Sequence, residues 1–263
     1  MIVSLENVMQ YLLENPVIGG FIGSLIAGSA TGLGAVPVFF VKKVPQKIID
    51  VLLGFSAGIM LAASFFSLII PSLETGGIVQ TIIGVVLGFL LIHLVNEYVP
   101  HEHIIKGVEG ATALRLKRIW LFTIAMAVHN FPEGLAVGVG FASEDPSEAL
   151  AITTAIGVQN MPEGLAVALA LISTLHYSTM FSFLVALATG LVEPIAGVLG
   201  ALVINVFKEL LPYLMSFAGG AMLYIVSNEM IPESHRLGHE KYASFGFIMG
   251  FIIMMIFDNL FTF

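Results

Sequence analysis

Apolar residues run along this chain in long blocks, separated by short polar segments that hold most of its lysines, arginines and turn formers. Eight blocks are long enough to cross the ~30 Å hydrocarbon layer as helices, at roughly 17–41, 48–71, 77–99, 118–141, 149–174, 179–205, 211–231 and 242–262. Backbone N–H and C=O groups in lipid must bond within their own segment, so such blocks are helical. The pattern predicts an all-α integral membrane protein with eight transmembrane helices, forming a single transmembrane domain over 1–263. The longest polar interruption, 100–117, reads as a cytoplasmic loop. The first fifteen residues, MIVSLENVMQYLLEN, read as a short interfacial helix ending at Asn15-Pro16 or as a frayed terminus. They carry Glu6 and Glu14 but no Lys or Arg, so they lack the basic start of a cleaved signal peptide.

Composition agrees with the pattern. A content of 57% hydrophobic and 11% charged residues, with mean hydropathy +0.98, excludes a soluble globular domain of this length. Nothing points to nucleic acid, and the partner that composition implies is the lipid bilayer. The net charge of −8 says little about partners, because the acids lie in loops or inside the apolar blocks. With no cysteine there are neither disulfides nor thiolate ligands.

The positive charges set an expected orientation. Lys42, Lys43, Lys47, Lys106, Arg115, Lys117, Arg118, Arg236 and Lys241 all fall in loops of one parity, and only Lys208 falls in the other. The positive-inside rule places the lysine-rich loops in the cytoplasm and both termini outside a cell membrane that the chain crosses many times. The opposite turn Ser143-Glu144-Asp145-Pro146-Ser147-Glu148 is acidic, and reads as a solvated turn or as an attractor of cations.

The chemistry lies in a segment written twice. Residues 129–140 read HNFPEGLAVGVG and 159–170 read QNMPEGLAVALA, with seven of twelve positions identical. Glu133 and Glu163 fall near the centres of the fourth and fifth blocks, and Glu193 near the centre of the sixth. An ionised side chain at the bilayer centre costs about 2.5–3.5 kcal/mol on insertion scales, and no Lys or Arg lies inside the spans to offset it. The three carboxylates are therefore protonated, hydrated in a cavity, or balanced by a bound cation. Helical spacing favours the last two. His129 and Glu133 are i,i+4 and Asn130 and Glu133 are i,i+3, so they share a face; Gln159, Asn160 and Glu163 repeat the arrangement. Pro132 and Pro162 each remove a backbone donor beside the carboxylate, and Glu193-Pro194 repeats the theme. The two copies sit on helices of opposite direction, as in inverted repeats that bind their ligand near the midplane.

Imidazole, carboxylate and amide donors without thiolate suit a borderline or moderately hard divalent ion, namely Zn, Fe, Mn, Co or Cd. Magnesium is an odd partner for His129, and Cu(I) lacks its sulfur ligands. Whether one ion or two would be held is left open by spacing. Other pairs draw notice: His101-Glu102-His103, His93 with Glu97, His235 with His239 (i,i+4 if helical), and His176. Solvation or helix ends account for them as well as metal does. Gly54 with Gly58, Gly84 with Gly88, and Gly134 with Gly138 suggest close helix packing, inside one chain or in a homodimer.

HNFPEG, then QNMPEG thirty residues on, then Glu193-Pro194, resembles the ZIP family of divalent-metal transporters, in particular its GufA-like prokaryotic branch. The resemblance runs through the whole chain. It implies zinc import into the cytoplasm, with the metal as substrate and no prosthetic group. It implies metal ligation by His129, Asn130, Glu133, Gln159, Asn160, Glu163 and Glu193, with Met60 reaching the same site. It places Ser67 and Asp258 on the outer approach, and Asn228 and Glu229 on the exit side. Asn160 stands where some relatives have Asp, and Asn228 where some have His, which weakens a second metal position and an exit ligand. A channel-like pathway for the same metals, or a membrane metalloenzyme, are the alternatives; the HExxH signature of zinc proteases is absent.

Overall fold

The computed structural model describes residues 5–41, 44–98, 111–173 and 176–261, and all their regular elements are helices. In chain order these are α1 (Leu5–Glu14), α2 (Pro16–Ala35), α3 (Gln46–Ala63), α4 (Ile70–Tyr98), α5 (Ala111–Ala142), α6 (Pro146–Ile172), α7 (Thr179–Gly190), α8 (Glu193–Val206), α9 (Leu211–Ile225), α10 (Ile231–His235) and α11 (Glu240–Phe261). The motif His101-Glu102-His103 and most of the 100–117 segment lie outside the described residues.

Among the described residues, six helical stretches are long and apolar enough to cross a membrane. One of them, Gln46–Val95, contains two of the blocks read from sequence, because no loop separates them. The chain reverses its local course at Gly77 alone, where φ is 78° and ψ is 178°. That backbone region is open essentially only to glycine. α5 adds a further 32-residue helix that contains the first motif copy.

The elements pack in two groups. α2 lies against α5, α6, α7 and α8, whereas α3 packs on α11, and α4 on α9. The groups meet where α3 and α11 touch α6 and where α5 touches α9. Small residues allow the closest approaches. A side chain at Gly134 would meet the backbone of Glu193, and one at Gly164 would meet the carbonyl of Thr31. The glycine after each motif glutamate thus brings α5 onto α8 and α6 onto α2.

Three departures from straight spans matter for function. The sixth block is not one helix: α7 ends at Gly190 and α8 starts at Glu193, with a turn at Leu191 and Val192. Pro194 supplies the reason, since it has no N–H to continue the ladder to Gly190. Ser64–Ile69 and Val226–Met230 are π-helical, each between two α-helical stretches. Such wide turns re-aim side chains and are frequent at functional sites. His235 and His239 do not share a helical face, because α10 ends at His235 and Gly238 turns the chain with φ of 85°.

The acidic turn before α6 has a structural role in part. Asp145 caps α6, accepting from the backbone N–H of Ser147 at 2.8 Å and of Glu148 at 3.4 Å. Glu144 pairs with Lys208 at 2.6 Å, both largely exposed, so the pair is worth at most about 1 kcal/mol.

Because the α6–α2 approach leaves no room for a side chain, Gly164→Val is expected to lower the melting temperature of the purified protein by several degrees. That corresponds to a loss of about 1–3 kcal/mol for overpacking. Thermal unfolding monitored by light scattering or intrinsic fluorescence in detergent measures it, and an unchanged transition would contradict so close a helix crossing.

Candidate metal centre

The motif side chains point inward. His129, Asn130, Glu133, Gln159, Asn160, Glu163 and Glu193 are each at most 3% exposed. They come from α5, α6 and the first turn of α8, three segments of the α2-centred group. α5 and α6 both run through their internal prolines, Pro132 and Pro162. Glu193 sits at the start of α8, where the partial positive charge of a helix N-terminus favours a carboxylate.

The hydrogen bonding of this cluster is incomplete in a systematic way. Asn160 Nδ2 donates to Glu193 Oε1 at 2.6 Å and to the carbonyl of Ala27 at 2.9 Å, tying α6 to α8 and α2. Ser56 Oγ, from α3, donates to Glu163 Oε1 at 2.5 Å. His129 Nε2 lies 2.8 Å from Glu229 Oε2. Opposite these bonds stand the atoms with none. Among the described residues, twelve buried side-chain N and O atoms lack a hydrogen-bond partner, and nine of them belong to this cluster. They are His129 Nδ1, Asn130 Oδ1, both oxygens of Glu133, both amide atoms of Gln159, Asn160 Oδ1, Glu163 Oε2 and Glu193 Oε2. A buried polar group without a partner costs about 1–3 kcal/mol, so this concentration needs a compensating interaction. All but the Gln159 Nε2 donor can act as acceptors, which is the property a cation requires.

The cluster is not closed around one point. Among the described residues, no three His, Asp or Glu side chains are gathered tightly enough to hold an ion as they stand. His129 is turned toward Glu229, and two glutamates are tied to neighbours.

The remaining residues singled out from sequence fall in different places. Met60 is fully buried on α3, one turn after Ser56 and so on the same face. Ser67 lies in the first π-helical segment and bonds Asp258 of α11 at 3.4 Å. Both line a cavity of about 720 Å³ together with Glu74, Asp145 and Glu148. Glu229 is buried in the second π-helical segment, whereas Asn228 beside it is exposed. His235 is held by the Ile231 carbonyl at 2.8 Å and by Ser244, and His239 by Asp50 at 2.8 Å, so the two do not form a pair. His93 stacks on Phe89 and bonds the Tyr224 hydroxyl at 3.3 Å. A second cavity, of about 340 Å³, opens at the end of the molecule that carries Gln46, Glu233 and Arg236.

Sequence reasoning missed Ser56 and Glu74. Ser56 had a readable signal, since it lies four residues before Met60 on a helix expected to reach the site. Glu74 follows the end of the second block, where an acid is unremarkable.

Membrane-length helices that bury an acidic cluster between them define a class of polytopic membrane proteins. The profile of the ZIP Zinc transporter family matches residues 101–258, which include both motif copies and Glu193. The chain is 42% identical over 248 residues to zinc transporter GufA of Myxococcus xanthus, covering 91% of this chain and 97% of that one. It is 41% identical over 260 residues to zinc transporter ZIPB of Bordetella bronchiseptica, covering 94% and 83%. Zinc transporter ZupT of Clostridium perfringens is 34% identical over 277 residues, covering 92% and 95%. The chain belongs to the ZIP family of transporters, not of enzymes, and is a multi-pass membrane protein.

Glu133 has two unpaired oxygens in an acidic surround, so Glu133→Gln is expected to stabilise the protein in the presence of chelator. A gain of about 1 kcal/mol raises a transition by roughly 2–4 °C at this chain length. The same variant should lose the further rise that zinc gives the wild type. Thermal melts with EDTA and with zinc read both effects, and a lower transition in EDTA would count against an unpaired Glu133.

Proposed function

We propose that this protein carries zinc across the cell membrane into the cytoplasm through the buried cluster of α5, α6 and α8. The observation that carries the reading is the set of partnerless buried acceptors on His129, Asn130, Glu133, Gln159, Asn160, Glu163 and Glu193. Family membership and relatives named as zinc transporters support zinc as the substrate. The donor set also suits Cd, Fe, Mn and Co.

In this reading the two motif copies are halves of an inverted repeat around a midplane site. Glu133, with both oxygens available, bridges or is shared, while Glu163 and Glu193 each offer one oxygen. One ion or two can be served by this set. Met60 adds a soft ligand from α3. The cavity with Ser67 and Asp258 is the outer approach, and the cavity with Gln46 and Arg236 is the cytoplasmic exit. The lysine-rich loops support that orientation, with both termini outside. Glu229 receives the ion from His129, since the two already stand at bonding distance. Loading requires His129 to leave Glu229, so the cluster closes as the ion arrives.

Purified protein in proteoliposomes is expected to take up radioactive zinc with saturation. Glu163→Ala should reduce the rate by at least about tenfold, the loss expected for a ligand-level interaction worth about 1.4 kcal/mol or more. Element analysis of the purified protein counts the ions held. Uptake equal to protein-free vesicles would end the transporter reading, and uptake linear in zinc would replace the carrier by a channel-like path.

Releasing His129 from Glu229 costs the contact between them. Glu229→Gln, which keeps the shape but weakens that contact, is expected to tighten zinc binding and slow release. Equilibrium binding and efflux from loaded vesicles separate the two effects; weaker binding would show that Glu229 supports the site rather than competes for His129.

A further inference from the structure

We propose that Ser56 is a positioning residue of the metal centre: its hydroxyl anchors Glu163 from across a helix interface and sets which carboxylate oxygen meets the ion. The proposal rests on the cluster being a cation site. Ser56 belongs to neither motif copy and lies on α3, a helix of the other packing group. It is fully buried. Its Oγ stands 2.5 Å from Glu163 Oε1 and 3.1 Å from the Gln159 carbonyl. The shorter contact is in the range of a hydroxyl donating to a carboxylate, the stronger class of hydrogen bond. Glu163 Oε2 has no partner.

Glu193 is treated in the same way. Its Oε1 accepts from Asn160 Nδ2 at 2.6 Å, and its Oε2 is left over. Glu133 is tied at neither oxygen. The ion therefore meets a defined set of oxygens, one each from two anchored carboxylates and two from Glu133. Anchoring removes the rotation that a long side chain would otherwise lose on ligation, which is how outer partners of metal ligands raise affinity. Asn160 sits within a motif copy, beside Gln159, but nothing in either copy anchors Glu163. Ser56 supplies that missing donor, and it does so only while α3 and α6 keep this register.

The test uses the full-length protein, with zinc itself as the probe. Calorimetric zinc binding in detergent and zinc uptake in proteoliposomes are measured for wild type, Ser56→Ala, Ser56→Gly and Ser56→Thr. Removing the hydroxyl is expected to weaken zinc binding about 10–100-fold, with KM raised in parallel and the maximal rate kept. Ser56→Thr keeps the hydroxyl and should restore affinity. Ser56→Gly adds no atom and carries the same expectation if alanine packs poorly. In a Glu163→Asp background, whose carboxylate is one methylene short of Ser56, loss of the hydroxyl should change nothing further. Unchanged or tighter zinc binding in Ser56→Ala overturns the proposal, as does an equal loss in the Glu163→Asp background. Failure of the wild type to bind or move zinc would instead remove the transporter reading, before any Ser56 variant is compared.

Discussion

Three carboxylates kept from water, with hydrogen bonds to only two of their six oxygens, set the terms for the rest of this molecule. The side-chain partners that their bonded oxygens have are Ser56 and Asn160, neither of them a lysine or arginine. Leaving that many acceptors unpaired costs several kcal/mol at about 1–3 kcal/mol each, a large part of a typical folding free energy. The surrounding helices must supply the stability that the cluster consumes. They do so with small residues at their crossings, where Gly134 meets Glu193 and Gly164 meets Thr31, and with apolar side chains around them. Under the proposed function, a cation would satisfy acceptors that no neighbouring side chain reaches, and the local conflict would be the functional feature.

The placement of the cluster follows from interruptions in otherwise regular helices. Pro132 and Pro162 stand one residue before their glutamates, and Pro194 one residue after Glu193. The break at Leu191 and Val192 puts Glu193 in the first turn of a helix instead of mid-ladder. The two π-helical segments carry Ser67 on one side of the molecule and Glu229 on the other. Regular α-helix carries Glu133 and Glu163, and irregular backbone carries Ser67 and Glu229.

Much of this was readable before the fold was known, though not evenly. Block length and hydropathy predict the rods because lipid leaves a chain few other choices. The motif copies identify His129, Glu133, Gln159 and Glu163 because i,i+3 and i,i+4 spacing places polar residues on one helical face whatever the neighbours are. The readings that failed depended on neighbours. His235 and His239 would pair only on one continuous helix, and Gly238 turns the chain between them. The span around Glu193 looked continuous, although the Pro194 that ends it was in plain view.

The amino-acid order alone determined that this chain is a multi-pass, all-helical membrane protein, and which apolar segments carry acidic residues. Those properties come from local sequence, through hydrophobic run length and helical period. Only the tertiary structure decided which oxygens are tied and which are left over. The donor on Glu163 is Ser56, more than a hundred residues earlier, and the partner of His129 is Glu229, a hundred residues later. Contacts at that separation exist only once helices from both packing groups are side by side, so no local pattern along the chain encodes them.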